Sequence, residues 1–574
     1  MGSTRNLLVV ALALTALAYI ATLSFQFVFD DEAQIVGNPL IENWRFLPFY
    51  FHIQVWAHLY PNLPGNYYRP IFMIWMRLNH ALFGFHPLGW HLTTVLLHLL
   101  ATFLVFRLTR RLSQRDDVAL MAATIFGLHP VHLEAVAWVS GVTESLFVVL
   151  LISSLLWFVN WREGRPNARA YSLLLFALAI FSKETAVVMV PLVFVYEYLF
   201  PQETGASLIQ RFGKAALAVL PYLAITVGYG YARYMALDGL FHVYTPLSTR
   251  TKLLTIPSIL WFYLKLLFVP VGLSGFYDTP YVTTASLQQF WLPLLGVSIF
   301  GAALVYWWWK SRDRLVVFAS ALLIIPLLPL MNFGVFYRGE IAHDRYLYTP
   351  SIGFAILVGA AIASIAERMG TSRNHGAARL MKTELAIVAP IVLVFVALTI
   401  WQSQFWANNL VFYSRGVQIA PNNNLVLDNL ANEFERRHMY PQALTLYWKA
   451  LERAPGMYLT NYNLGYVSCE TGDYKTGAHF LRRAAELDPS DAATFYYLGK
   501  CEIALGESEA AEVDLRRAIA TDPRLLGPRY TLGLLLKQEG RSQEALDYFR
   551  GELARNPNDS KAANEVEQLT PKSR

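Results

Sequence analysis

The chain has 574 residues, of which 55% are hydrophobic and only 15% charged, with a formal net charge of +6. Apolar stretches of membrane-spanning length recur from Leu7 to Ile400, which excludes a soluble globular protein and points to an integral membrane one. The positive excess sits in loops rather than in a clustered basic stripe, which excludes a nucleic-acid binder. The two cysteines, Cys469 and Cys501, supply no disulfide framework and no cysteine metal site.

The first apolar run, Leu7 to Phe29, follows Arg5. Ala16-Leu17-Ala18 resembles a signal cleavage site, but the run continues well past it and reads as a retained anchor. It ends in FQFVFDDEAQIVGNPLI, where Asp30 and Asp31 stand side by side. Two carboxylates at a membrane exit are costly to keep, and they can take a proton or hold a cation. The pair is therefore the expected catalytic centre. Pro70 to Phe83 is short for a span of roughly 20 residues and reads as an interfacial helix.

Lys and Arg concentrate in four loops, Arg107 to Arg115, Arg162 to Arg169, Lys310 to Arg314 and Arg368 to Lys382, which the positive-inside rule makes cytoplasmic. Parity then sends Asp30, Asp31, His129 to Thr143, Ser182 to Glu184 and Asn332 to Arg345 to the other face. The carboxyl-terminal module follows them. Between Lys214 and Lys310 lie three apolar stretches, near 215–234, 254–272 and 289–309, of which only an even number can cross; 254–272 is assigned to the outer surface. The expected total is about eleven spans.

This parity collects a candidate site from distant segments: Asp30, Asp31, Arg69, His129, His132, Glu134, Lys183, Glu184, Asp344 and Arg345. Each also has a plain reading as an interfacial residue that snorkels or pairs locally. For Glu32, Glu42, Arg338 and Glu340 the plain reading is preferred.

Charge balance changes near Trp406: residues 1–406 hold 27 Lys and Arg against 19 Asp and Glu, and residues 407–574 hold 20 against 22. The second part has a 34-residue period, set by Pro421, Pro455, Pro489, Pro523 and Pro557 and repeated by Gly465, Gly499 and Gly533 and by Gly472, Gly506 and Gly540. NYNLGYVSCETGDYKTGAHFLRRAAELDP and its neighbours match the tetratricopeptide pattern of two packed helices per repeat. About four full repeats are expected from 424 to 557, preceded by a half-repeat helix near 402–420 and followed by a capping helix. Gly477 replaces the usual alanine and His438 the usual turn glycine. Such solenoids present a concave face to extended peptides, here with Tyr496, Tyr497, Asn461 and Asn463 as candidate contacts.

The expected fold class is thus all-α: a polytopic helical membrane domain over 1–406 and a tetratricopeptide-repeat solenoid over 407–574. The chain resembles the transmembrane and tetratricopeptide repeat O-mannosyltransferases of the C-type glycosyltransferase superfamily. The resemblance is carried by FDDEAQIVGNPLI, YYRPIFMIWMRLNHALFG, WHLTTVLLHLL, FGLHPVHLEAVAWVSGVTESL, FSKETAVVMVPLVFVYE and HDRYLYTPSIGF; Thr94 stands where the family pattern has asparagine. It implies a sugar linked to a polyprenyl phosphate as donor, an acceptor hydroxyl on protein, and inverting transfer on the extracytoplasmic face. It makes Asp30 or Asp31 the expected base, with Asp31 preferred and Asp30 assisting. Arg345, Arg69 and Lys183 are the expected cations for the carrier phosphate, because guanidinium offers its oxygens a bidentate match. His129, Glu134 and Glu184 are candidates to position sugar or phosphate. No cofactor is required outright; a divalent cation held by Asp30 and Asp31 is the one candidate. The competing readings are transfer to a glycolipid or envelope polysaccharide, and a noncatalytic membrane scaffold that binds proteins through its repeats. A transporter ranks lower, since the membrane half has no clear internal repeat and few polar residues deep in its spans.

Overall fold

The computed structural model describes residues 2–59, 65–201, 205, 207–337, 339–369 and 377–570; Arg338 and residues 370–376 of the fourth basic loop lie outside them. The chain forms two compact units, residues 1–419 and 420–574. Both are helical, and the described residues include no strand.

In the first unit α1 (Gly2–Tyr19) continues through a tight turn to Ser24. α2 (Pro70–Phe83) and α3 (Pro87–Ser113) both start on proline, whose missing N–H would be unpaired in a first turn anyway. Arg110 and Arg111 close α3, and Asp116 and Asp117 open α4 (Asp116–Leu128), each set matching the helix dipole it meets. Pro130 then stops α4, and the chain bends by 52° into α5 (Leu133–Val136). α6 (Thr143–Arg162), α7 (Ala168–Ser182) and α8 (Met189–Leu199) follow. α9 (Leu208–Leu237) starts with a capping box of Ser207 and Gln210, and Ser248 caps α10 (Thr249–Phe268). α11 (Leu292–Ser311), α12 (Arg314–Ile324), α13 (Pro350–Met369), α14 (Ala377–Ser403) and α15 (Asn409–Ile419) complete the unit.

Among the described residues nine helices are long and apolar enough to cross a membrane, or ten if α4 and the bent segment after it form one span. The sequence count of about eleven included α7 and α8, which have 15 and 11 residues. At 1.5 Å per residue α7 reaches about 22 Å, short of a hydrocarbon core of about 30 Å. Most of the stretch at 254–272 lies in α10, which, against its assignment to the outer surface, is long and apolar enough to cross.

The core of this unit is one large apolar cluster fed by α3, α4, α6, α12 and α13. α13 approaches α12 backbone to backbone: a Cβ on Gly353 would meet the Ala319 carbonyl and lie 2.5 Å from the Leu323 nitrogen. α15 belongs here rather than with the repeats, because Phe412 and Tyr413 pack against Phe276 at 5.5 and 6.3 Å between ring centroids. The units therefore part at Ile419, thirteen residues beyond the Trp406 expected from charge balance.

The second unit is four helix pairs and a cap. The pairs are α16 (Asn424–Arg436) with α17 (Tyr440–Arg453), α18 (Tyr458–Glu470) with α19 (Tyr474–Leu487), α20 (Ala492–Leu505) with α21 (Ser508–Thr521), and α22 (Pro528–Gln538) with α23 (Ser542–Leu553); α24 (Ser560–Leu569) is the cap. The glycine period has a packing cause. A Cβ on Gly465, Gly499 or Gly533 would lie 2.7, 2.8 or 2.7 Å from Leu481, Leu515 or Phe549 of the partner helix. The turn glycines Gly472, Gly506 and Gly540 have φ of +89°, +79° and +78°, and His438 adopts +57° at the same place, its ring Nδ1 3.0 Å from the Tyr440 hydroxyl. Cys469 and Cys501, expected to supply no disulfide framework, are brought side by side because the first helices of successive repeats pack together.

Gly353→Leu forces α12 and α13 apart. Overpacking of about 1–3 kcal/mol lowers the thermal midpoint of the detergent-solubilised protein by several degrees, readable by differential scanning fluorimetry.

Candidate active site

The loop after α1 makes its turn at Phe29, whose φ is +56°. An aromatic residue in the left-handed region costs about 1–3 kcal/mol and persists only where its surroundings enforce it. Here Asn409 enforces it: its Oδ1 accepts the Phe29 N–H at 2.9 Å, and its Nδ2 donates to Glu32 Oε1 at 2.6 Å. The Phe29 ring sits against Trp138, Phe276 and Phe412 at 5.8, 5.4 and 5.7 Å.

Just past this turn the two acids occupy different surroundings. Asp31 is fully buried; its Oδ1 accepts the Ser140 N–H at 2.8 Å and the Ser140 hydroxyl at 2.6 Å, and its Oδ2 accepts the Val28 N–H at 3.2 Å. Asp30 is half-buried and receives no hydrogen bond among the described residues. Burial pushes Asp30 up to about 7, the positive charge of Arg345 working against it and the Asp31 carboxylate with it. Burial also pushes Asp31 up to about 7, against the Ser140 and Val28 hydrogen bonds. Near neutrality this proximal pair resists carrying two negative charges, and its titration belongs to the pair.

Arg345 comes from the turn before α13. Glu134 holds it twice, accepting its backbone N–H at 2.9 Å through Oε2 and its guanidinium through Oε1. The guanidinium lies over the rings of Trp138 and Tyr346, at 5.3 and 5.1 Å, and 17% of the side chain is exposed. His343 stands 3.4 Å from both Glu134 and Glu340. Asp344 turns the other way, accepting the Tyr277 hydroxyl and, at 3.2 Å, the Ser274 N–H, which anchors the turn.

Arg69 makes a bidentate pair with Glu184, Nε at 3.0 Å and Nη2 at 2.6 Å, over the ring of Tyr67 at 4.9 Å. Burial disfavours the Glu184 carboxylate, but Arg69 outweighs it and holds its pKa down to about 2. Lys183 is buried against Glu144 and lies 5.7 Å from the rings of Phe147 and Tyr346. Tyr67 is within electrostatic reach of Arg69, Arg345, Glu184 and Asp30. Five distant segments thus converge.

Not every candidate joins them. His129 is buried with both ring nitrogens engaged: Nδ1 accepts the Val131 N–H at 3.2 Å, and Nε2 lies 2.9 Å from the Leu267 carbonyl. It caps the break after α4. His132 faces Ser351 at 2.8 Å inside the bundle. Lys183 is committed to Glu144, and Glu184 to Arg69. Among the described residues no three His, Cys, Asp or Glu side chains are grouped to hold a metal ion. Sequence reasoning missed Ser140, Trp138, Glu144, Tyr67, Tyr346 and Asn409. The first three lie inside one recognisable motif, FGLHPVHLEAVAWVSGVTESL, without any sign of their roles, and Asn409 lies 380 residues from the backbone it holds.

The fold is that of a multispanning helical membrane protein with a tetratricopeptide-repeat solenoid. Residues 68–230 match the family model described as dolichyl-phosphate-mannose-protein mannosyltransferase. The chain is 26% identical over 457 residues to a protein O-mannosyl-transferase of Caenorhabditis elegans, covering 79% of this chain and 63% of that one. It is 23% identical to protein O-mannosyl-transferase TMTC3 of Mus musculus, over 79% of this chain and 52% of that one. To TMTC1 of Homo sapiens it is 25% identical, over 80% and 56%. The chain spans roughly half to three-fifths of the length of these relatives. Solved structures similar to it include MamA (22% identity, TM-score 0.25, 25% of this chain and 80% of that one). Another is YrrB, described as a TPR protein with an unusual peptide-binding site (23%, TM-score 0.25, 27% and 81%).

Asn409→Ala removes two hydrogen bonds at about 1 kcal/mol each and releases Phe29 from its unfavourable φ. A double-mutant cycle with Phe29→Gly, followed by thermal unfolding, gives a combined loss well below the sum, because glycine adopts that φ without help.

Proposed function

We propose that this protein transfers a sugar, by its relatives' names mannose, from a polyprenyl-phosphate carrier to a Ser or Thr hydroxyl of a protein acceptor on the extracytoplasmic face. The observation that carries the reading is Asp30: a half-buried carboxylate with a raised pKa and no hydrogen bond from a described residue, within the field of Arg345.

Asp30 is the base. Its oxygens are open to an acceptor hydroxyl, and a pKa near the working pH suits proton abstraction as the anomeric carbon is attacked. Asp31, placed first from sequence, has both oxygens engaged by Ser140 and Val28 and serves to hold the loop. Arg345 receives the leaving phosphate: Glu134 fixes its orientation, and of its side-chain N–H groups only Nη1 is taken up by Glu134. Charge building on the phosphate oxygen as the glycosidic bond breaks meets a preorganised cation in a partly dehydrated setting. Arg69 keeps Nη1 for the same anion, while Nε and Nη2 stay on Glu184. Direct attack inverts the anomeric centre, and the proton ends on Asp30. Should the reaction use a divalent cation, Asp30 is the member of the pair with oxygens left to meet it. The repeats recruit the acceptor polypeptide.

Asp30→Asn lowers transfer from a labelled polyprenyl-phosphate sugar about 100- to 10,000-fold, while its thermal midpoint equals or exceeds the wild-type value because a half-buried charge is gone. Asp31→Asn lowers the midpoint. Full activity in the Asp30 variant would reject the assignment.

With the pKa of Asp30 raised to about 7, the base is protonated below that value. Transfer therefore falls roughly tenfold per pH unit on the acid side, a limb the kcat profile checks. Arg345→Lys keeps the charge and loses the planar fork, so KM for the carrier-linked donor rises about tenfold.

A further inference from the structure

Cys469 lies in the last turn of α18, and Cys501 lies in α20, the first helix of the next repeat. Their Cα atoms are 5.9 Å apart, inside the interval of about 4.4–6.8 Å that a disulfide spans. They are 32 residues apart, two short of the repeat, so they are not equivalent positions that the period places together.

A second observation concerns α19. The repeat pattern has alanine at 443, 511 and 545 and glycine at 477. A Cβ at 477 would collide with Cys469 Sγ. The one repeat that lacks the methyl is the one whose own first helix carries the sulfur.

We propose that Cys469 and Cys501 form a structural disulfide that staples α18 to α20, with Gly477 as the vacancy that admits it. Two thiols give one S–S bond, two protons and two electrons, the electrons passing to a disulfide oxidant such as oxidised glutathione or a thiol oxidase. The bond fixes the spacing of the same two helices that carry a tyrosine strip. Tyr462 and Tyr466 of α18 meet Tyr497 of α20 at 6.1 and 4.7 Å, and Lys500 lies over Tyr497 at 5.2 Å. The staple therefore sets the aromatic part of the face offered to an acceptor. Its presence in the cell rests on the extracytoplasmic placement proposed above, since a thiol-reducing cytosol would keep both cysteines free.

Full-length protein is isolated in N-ethylmaleimide, denatured, digested without reductant and analysed by mass spectrometry. The expected product is one peptide pair linked through Cys469 and Cys501, and reduction lowers the unfolding midpoint of the repeats by several degrees. Cysteines found alkylated there, and still unpaired in a parallel preparation made without N-ethylmaleimide and incubated with oxidised glutathione, would overturn the pairing. Cysteines alkylated in the first sample that do pair in the unalkylated parallel preparation would overturn its presence in the cell and the extracytoplasmic placement with it; the Asp30→Asn transfer assay is untouched by either result. Gly477→Ala is expected to cut the paired fraction severalfold, and Cys469→Ala with Gly477→Ala to restore the unfolding midpoint lost in Gly477→Ala alone. An unchanged paired fraction in Gly477→Ala would reject the role given to Gly477.

Discussion

The carboxylate of Asp31, buried and held by three donors, is the contact on which the first unit turns. Burying an ion costs several kcal/mol unless hydrogen bonds or an opposite charge offset it. Ser140 and Val28 offset part of that cost, burial still holding the pKa up at about 7, and in doing so they tie the exit of α1 to the turn before α6. The backbone at Phe29 is bent into an unfavourable conformation to reach that position, and Asn409 of α15 secures it. One structural acid thus fixes the place of its neighbour, and Asp30 is left half-exposed because Asp31 is not.

The same requirement organises the cations. Arg345 pairs with Glu134, Arg69 with Glu184 and Lys183 with Glu144, so each of these three positive charges has its own carboxylate. These pairs differ in what they leave over. Lys183 is enclosed, whereas the guanidiniums are 17% and 14% exposed and keep N–H groups for a further anion. Planarity explains the difference: a guanidinium can satisfy a carboxylate along one edge and still present another, while an ammonium buried beside its partner has no second face.

The repeat unit is built on a separate principle. Its stability comes from nearest-neighbour helix packing repeated at a fixed step, with glycine on one helix receiving a large side chain from the next. Departures from the repeat are informative for that reason. His438 keeps the turn conformation that glycine usually supplies, and Gly477 leaves a space that Cys469 fills.

What the sequence determined by itself was whatever repeats or runs along the chain: the apolar spans, the 34-residue step with its four helix pairs, the acidic pair at a span exit, and the arginines of YYRP and HDRYLY. Periodicity and hydropathy are local properties, so they survive being read one segment at a time. Which members of that set do the same work was settled by contacts between segments far apart in the chain. The adjacent acids Asp30 and Asp31 are separated in role by Ser140, a residue 109 positions from Asp31. His129 became a helix-end cap because the Leu267 carbonyl, 138 positions away, occupies its second nitrogen. Helices α7 and α8 looked like ordinary spans until their lengths were fixed by breaks at Lys183 and Phe200. Each of these outcomes depends on a partner distant in sequence or on where backbone hydrogen bonding stops. Neither leaves a signal in residue order, because hydrogen bonds and burial are properties of neighbours in space.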